Sequence, residues 1–195
     1  MDLDLDDLRS RVPERLLGIT GAPGVGKSTV AALLARSWGA VVVPMDGFHL
    51  ADVELSRRGL LGRKGAPETF DAEGYAALLG RVRAREPLVM APVFERDLEQ
   101  PLAGALPVPG SVGLVVTEGN YLLLDEPRWA AVRAQLDAVW HLRVDPALRR
   151  ERLVARHVEF GKTPAEAEAW VRAVDDPNAT LVEAAAAQAD LVIDL

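Results

Sequence analysis

The chain has no cysteine, which excludes disulfides and thiolate metal centres. Lysine is nearly as scarce. Only Lys27, Lys64 and Lys162 occur, against a background rich in arginine and alanine, so a lysine at 27 or 64 carries information. No apolar run reaches the ~20 residues of a membrane span. The N-terminal MDLDLDDLRS is acidic and lacks the basic start and apolar centre of a signal peptide, so the expected location is cytoplasmic. A basic surplus is missing too: 29 acidic residues against 22 basic ones give a net charge of −7, which argues against non-specific nucleic-acid binding. Histidine is limited to His49, His141 and His157, and no cluster has transition-metal ligand spacing.

What remains is ordinary for a soluble globular protein. The 195 residues suffice for one domain with a real core, expected to span 1–195 with 1–14 as an N-terminal extension. There is no internal repeat and no long linker.

The most informative segment is Gly21-Ala22-Pro23-Gly24-Val25-Gly26-Lys27-Ser28-Thr29. Gly21, four residues, then Gly26-Lys27-Ser28 is the spacing of a phosphate-binding loop. Glycines let successive backbone N–H groups turn inward around an anion. Lys27 can reach the outer phosphates, and the Ser28 hydroxyl can hold Mg²⁺. The context agrees, because Arg15–Thr20 reads as a buried strand and Ser28–Ser37 as a helix. The phosphates would then meet the positive end of that helix.

Further apolar runs recur with helical stretches between them. Leu16–Thr20, Ala40–Met45, Leu88–Val93, Val112–Thr117, Ala138–Val144 and Leu191–Leu195 read as strands. Ala72–Arg85, Pro127–Leu136, Pro146–Glu159, Pro164–Val174 and Asn178–Ala189 read as helices, three of them opening on proline. Such alternation implies an α/β fold with a mostly parallel sheet covered on both sides. Two segments interrupt it: Gly47–Asp71, and Phe94–Ser111, whose prolines 101, 107 and 109 predict a loop. Both begin past a strand's carboxyl end, where open α/β sheets bind ligands.

Each of the first five strands hands over to residues suited to metal, phosphate or hydroxyl. Asp46 follows the second strand and is the candidate base for an attacking hydroxyl, since phosphoryl transfer needs alignment, charge neutralisation and one residue to orient the nucleophile. Glu118 ends the fourth and could hold Mg²⁺ or a substrate hydroxyl. Arg149, Arg150, Arg152 and Arg156 crowd one helix, and Arg149, Arg152 and Arg156 share a face from which they could close over a nucleotide. Arg63, Lys64 and Arg96, with His49, lie in the two irregular segments as candidate substrate contacts. His141 reads as structural, and His157 as a charge opposing a helix dipole.

Five motifs occur in order: GAPGVGKST at 21–29, MDGFHL at 45–50, GRKGAPETFD at 62–71, EGNYLLLD at 118–125 and RHVEFGKTPAEAEAWV at 156–171. Together they resemble the phosphate-loop kinase family of type I pantothenate kinase, uridine kinase and phosphoribulokinase. The likeness is greatest to short bacterial members described as nucleoside/nucleotide or fructose-transport-system kinases. The resemblance implies a three-layer α/β/α nucleoside-triphosphatase fold with five parallel core strands and a small helical lid at about 146–162. It implies ATP- and Mg²⁺-dependent transfer of a phosphoryl group to a metabolite hydroxyl. Asp46 would be the catalytic acid–base group, with Lys27 and Arg152 assisting. Arg63, Lys64 and Asp71 would lie near the acceptor, Glu118 in the site, Arg152 and Arg156 on the lid, and Asn178 close to the ligands.

The sequence also departs from its relatives. Pantothenate kinases are longer and carry a Tyr-Ser-His-type segment where this chain reads Val93-Phe94-Glu95-Arg96. Uridine kinases differ in the loop after the second strand. The expected partner is thus a small molecule of unspecified identity (a sugar, nucleoside or pantothenate-like acceptor), with no membrane and no nucleic acid; a homodimer is left open. A GTPase switch would need a guanine-reading Asn-Lys-x-Asp, which is absent. A catalytically inactive nucleotide-binding module is the alternative, disfavoured by an intact Lys27, Ser28, Asp46 and Glu118.

Overall fold

Leu16–Gly21 (β1) is buried along its whole length. A strand with no polar face belongs at the centre of a sheet covered on both sides, and that is where the computed structural model, which describes residues 4–12 and 14–195, has it. The remaining strands are Val41–Pro44 (β2), Leu88–Glu95 (β3), Gln100–Pro109 (β4), Val115–Glu118 (β5), Ala138–Arg143 (β6) and Leu191–Asp194 (β7). The helices are Leu5–Ser10 (α1), Lys27–Trp38 (α2), Asp52–Arg58 (α3), Ala72–Arg83 (α4), Pro127–Arg133 (α5), Pro146–Glu159 (α6), Pro164–Trp170 (α7) and Asp176–Ala184 (α8). Five strands form a parallel sheet in the order β2-β5-β1-β6-β7. Helices cover both faces, giving the three layers expected.

Alternation along the strands divides the core in two. Leu17, Ile19, Val116 and Leu142 pack against Val30 and Leu34 of α2 and Leu8 of α1. Leu16, Val43, Val115 and Val139 face the opposite way, onto Tyr75, Leu79 and Val82 of α4, Trp129 and Val132 of α5, and Val182 of α8. The spacing Tyr75, Leu78, Leu79, Val82 that marks α4 in the sequence is buried throughout. Truncating one such residue, as in Leu79→Ala, costs about 2–5 kcal/mol. Pro127, Pro146 and Pro164 open their helices, where a missing N–H removes no intrahelical bond.

Two expectations are corrected. Leu88–Val93 is not a core strand and Phe94–Ser111 is not a loop: β3 and β4 pair antiparallel in a separate two-stranded ribbon. The pattern explains it. β3 buries Val89 and Ala91 but exposes Leu88 and Met90, so it has one covered face rather than two. Its register shifts between Ala91 and Val93, around Pro92. In β4, Pro107 and Pro109 pair with Met90 and Leu88. Prolines two apart turn their nitrogens to the same side, and proline is tolerated in a strand only where that side is an unpaired edge.

The second correction concerns the helical C-terminal region. The expected helices 164–174 and 178–189 are joined by a π-helical turn, Val171–Asp175, that leads from α7 into α8. Pro177 can neither donate an amide nor sit comfortably against the carbonyl four residues earlier, and a widened turn just before it relieves both problems. The excursion after β2 is also more ordered than a loop. It holds a 3₁₀ turn at Met45–Phe48, then α3, and two further 3₁₀ turns at Leu61–Arg63 and Pro67–Thr69.

Because the core strands are parallel, their carboxyl ends share one rim. Glu118 lies in register with Ile19 on one side and Pro44 on the other. The loop after β1, the end of β5 and the turn after β2 therefore stand side by side where the strand order reverses, the position at which open sheets bind ligands.

Candidate active site

The phosphate loop runs from the end of β1 to the start of α2. Gly26 immediately precedes the helix with φ of +107°, a conformation L-residues with side chains rarely adopt, and no side chain caps the helix. The first amides of α2 are thus available to an anion held by the loop. Lys27 is buried, and its ammonium donates to the carbonyls of Gly21 at 2.9 Å and Ala22 at 3.2 Å. Burial pulls its pKa down to about 8; Glu118 and Asp46 oppose that shift, and Arg156 and Arg149 add to it. Ser28 and Thr29 lie exposed on the first turn of the helix.

Ser28 donates its hydroxyl hydrogen to Glu118 Oε1 at 2.9 Å. Glu118 itself is buried, and burial together with the Asp46 charge raises its pKa, against the pull of Lys27. Among the described residues no group of three or more His, Cys, Asp or Glu forms a metal cage. A hydroxyl and a carboxylate oxygen side by side fit Mg²⁺, which takes few protein oxygens and completes its shell with water and phosphate.

Asp46 lies on the 3₁₀ turn after β2. Its Oδ2 accepts from Arg96 Nη2 at 3.0 Å. Its carbonyl oxygen accepts from the His49 amide at 3.2 Å and lies 2.8 Å from His49 Nδ1. Gly47 explains how the ribbon comes so near: a Cβ there would stand 2.5 Å from the Pro92 carbonyl oxygen. Only glycine lets β3 lie directly on this turn. Arg96, just beyond β3, is thereby brought to Asp46.

The remaining expected contacts divide into those engaged near this turn and those turned elsewhere. The His49 ring sits between Phe70 and Phe94, with centroids 4.1 and 4.8 Å away. Lys64 pairs with Asp52 at 2.8 Å and lies over the Phe94 ring. Arg63 turns outward to Glu68. Asn178 is buried and donates to the Gly65 carbonyl at 3.3 Å, which also accepts from the Tyr121 hydroxyl, so the 62–66 turn is pinned at one atom from two elements. Asp71 is the exception. Its carboxylate is exposed and caps α4 by accepting from Gly74 N at 2.9 Å, while its amide donates to the Phe48 carbonyl at 2.8 Å, beside His49.

On α6, Arg152 Nη1 lies 3.4 Å from the Val25 carbonyl, and Arg156 is near enough to Lys27 to act on its titration. Arg149, which sequence reading grouped with these two, does something different. It is buried, donates to the Pro23 carbonyl at 3.3 Å and pairs with Asp176 at 2.8 Å, tying the phosphate loop to the start of α8. The available signal was its i, i+4 relation to Leu153, the other buried residue of α6. His141 is buried in β6 beside Glu183, and His157 pairs with Asp175 at 2.8 Å. Next to the phosphate loop, a cleft of about 690 Å³ opens between Val25, Val144, Pro146, Arg149 and Ala179.

No protein-family model matches the chain. A Schizosaccharomyces pombe protein named as a candidate uridine kinase is 33% identical over 194 residues, covering 91% of this chain and 82% of the relative. Pantothenate kinase of Limosilactobacillus reuteri is 35% identical over 148 residues, 69% of this chain but only 46% of that longer protein. A crystal structure from Silicibacter sp. TM1040, described as a candidate fructose transport system kinase, superposes with a TM-score of 0.90 at 40% identity, covering 98% of this chain and all of the other.

Proposed function

The chain belongs to the phosphate-loop kinase family that contains uridine and pantothenate kinases, and we propose from that premise that it transfers the γ-phosphate of ATP to a hydroxyl of a small metabolite. One observation carries the reading: Lys27, the Ser28–Glu118 pair and Asp46 stand together on one rim, at the ends of three adjacent strands.

The residues divide the work as follows. The amides at the start of α2 cradle the phosphates. Lys27 exchanges its carbonyl partners for phosphate oxygens and so follows the charge as it moves to the leaving group. Ser28 Oγ and Glu118 would hold Mg²⁺, which when bound neutralises charge on the outer phosphates. Asp46 orients the acceptor hydroxyl and takes its proton as the new O–P bond forms, while the bond from the γ-phosphorus to the ADP oxygen breaks. Arg152 and Arg156, on a lid formed by α6, donate to the oxygens of the transferred group and keep water out. The cleft beside Val25 and Pro146 receives the nucleoside part of ATP. His49, Arg96 and the turn held by Asn178 and Tyr121 form the acceptor side.

The test is ADP release from ATP and Mg²⁺ across a panel of sugars, nucleosides, pantothenate and glycerate. Acceptor-dependent release that disappears in Lys27→Ala supports the proposal. Release independent of every acceptor, or none at all, would overturn it.

A further inference from the structure

We infer that Asp176 is a positioning residue through which a filled phosphate loop steadies the turn 62–66 on the acceptor side, so that ATP and the acceptor bind with positive coupling. The inference rests on the kinase reading and adds to it a route between the two halves of the site.

Three residues at the head of α8 reach three different places. Asp175 pairs with His157 Nε2 at 2.8 Å, near the end of α6. Asp176 pairs with Arg149 at 2.8 Å and with Arg150 at 3.0 Å, near the start of the same helix. Asn178 donates to the Gly65 carbonyl at 3.3 Å. Helix α6 is therefore tied to one short segment at both of its ends, and it cannot shift without carrying that segment along.

The near end of the route is the phosphate loop. A single guanidinium, that of Arg149, donates to both the Pro23 carbonyl and Asp176. The backbone leaves it no slack. A Cβ on Gly24 would stand 2.7 Å from Leu153 Cγ and 3.0 Å from the Arg149 carbonyl oxygen, so the loop rests directly on α6. An anion draws the loop amides inward, and Pro23 moves with its neighbours.

The far end is the turn at Gly65. Residues 176 and 178 are two apart on a helix, so their side chains leave it on different sides. Less than one turn of α8 separates the contact with α6 from the contact with Gly65. Arg149, Asp175 and Asn178 are all buried, and in a close-packed interior a displacement passes to the next partner rather than fading. The segment also has a place to yield. The π-helical turn Val171–Asp175 separates α7 from α8, and Pro177 supplies no amide beside it. Helix α8 can follow α6 about this turn without unwinding α7. Tyr121 holds the Gly65 carbonyl from a second element, so the turn is fully ordered only when both donors are in place.

Hydrogen–deuterium exchange tests this on the free protein and with Mg²⁺ and the non-hydrolysable ATP analogue AMP-PNP, in wild type, Asp176→Asn, Arg149→Lys and Leu79→Ala. In wild type the analogue should slow exchange at 22–29 and also at 62–69, the latter about tenfold, the size of one hydrogen bond. Asp176→Asn should keep the first effect and lose the second. Arg149→Lys keeps a charge beside Asp176, but its one ammonium cannot also hold Pro23, so it should lose the second effect too; it decides the matter if Asp176→Asn does not fold. Leu79→Ala lowers stability from elsewhere in the core and should keep both effects. Slowing at 62–69 that is absent in wild type, or undiminished in the two link variants, overturns the inference and leaves the kinase reading standing. If wild type does not bind the analogue, the kinase reading fails by itself, and the free proteins decide. Residues 62–69 must then exchange faster in Asp176→Asn but not in Leu79→Ala, and equal rates refute the inference.

Discussion

Arg96 and Asp46, fifty residues apart in sequence, meet side chain to side chain at 3.0 Å. The pair is about 45% and 33% exposed, so its contribution to stability is small, on the order of 1 kcal/mol or less. Its consequence is geometric, because it sets the direction of the carboxylate assigned as the base. Arg96→Ala should leave thermal unfolding nearly unchanged while lowering kcat/KM for the acceptor about tenfold, with KM for ATP unaffected. Steady-state kinetics with each substrate varied in turn check this, and a large fall in melting temperature would show a structural role instead.

Asp46→Asn keeps the shape of the turn and removes the proton acceptor. Turnover should fall by at least ~10²-fold, the lower end for a lost acid–base group, while equilibrium ATP binding stays close to wild type. Near-normal turnover in this variant would rule out Asp46 as the base.

Lys27 makes nucleotide affinity depend on pH. Its pKa in the free protein is depressed to about 8, chiefly by burial. Bound phosphates would favour the charged form and raise that value. Below pH 8 the ammonium is charged before and after binding, and affinity is at its plateau. As pH rises through 8, binding must take up a proton and affinity should decline. Calorimetric titration of ATP at pH 8.5 in buffers of different ionisation heat should reveal the uptake. The same experiment at pH 6.5 should show little from this group.

Arg149 fastens α6 to the phosphate loop and to the start of α8. Arg149→Met keeps the stem of the side chain but leaves Asp176 and the Pro23 carbonyl without their buried donor. A lost charged hydrogen bond costs roughly 1.5–3 kcal/mol. For a chain of this size that is a fall of about 3–12 °C in melting temperature, with weaker ATP binding alongside. Arg150→Met, on the exposed side of the same carboxylate, should shift the melting temperature far less.

What the sequence disclosed, it disclosed locally. The phosphate loop, Asp46 and Glu118 could be read because each sits within a few residues of a strand end whose apolar run announces it. The β3–β4 ribbon could not, because proline density reads as loop unless one knows that an unpaired edge is available to absorb the missing donors. Arg149 and Arg152 look alike in a run of arginines; only the fold separates the one that faces Asp176 from the one that faces Val25. Asp71 stood at the head of a helical pattern, where a cap and a ligand contact have the same sequence signature, and the structure shows the cap.

Pro107 and Pro109 have one more effect. A bare strand edge invites β-augmentation, in which a peptide or a second copy zips onto the open backbone and drags whatever the ribbon carries out of place. Here that margin lacks amide donors at two alternate positions, 107 and 109, at the end of β4 that pairs with Met90 and Leu88. A third strand zipping onto that end of the ribbon would therefore lose two of its backbone hydrogen bonds.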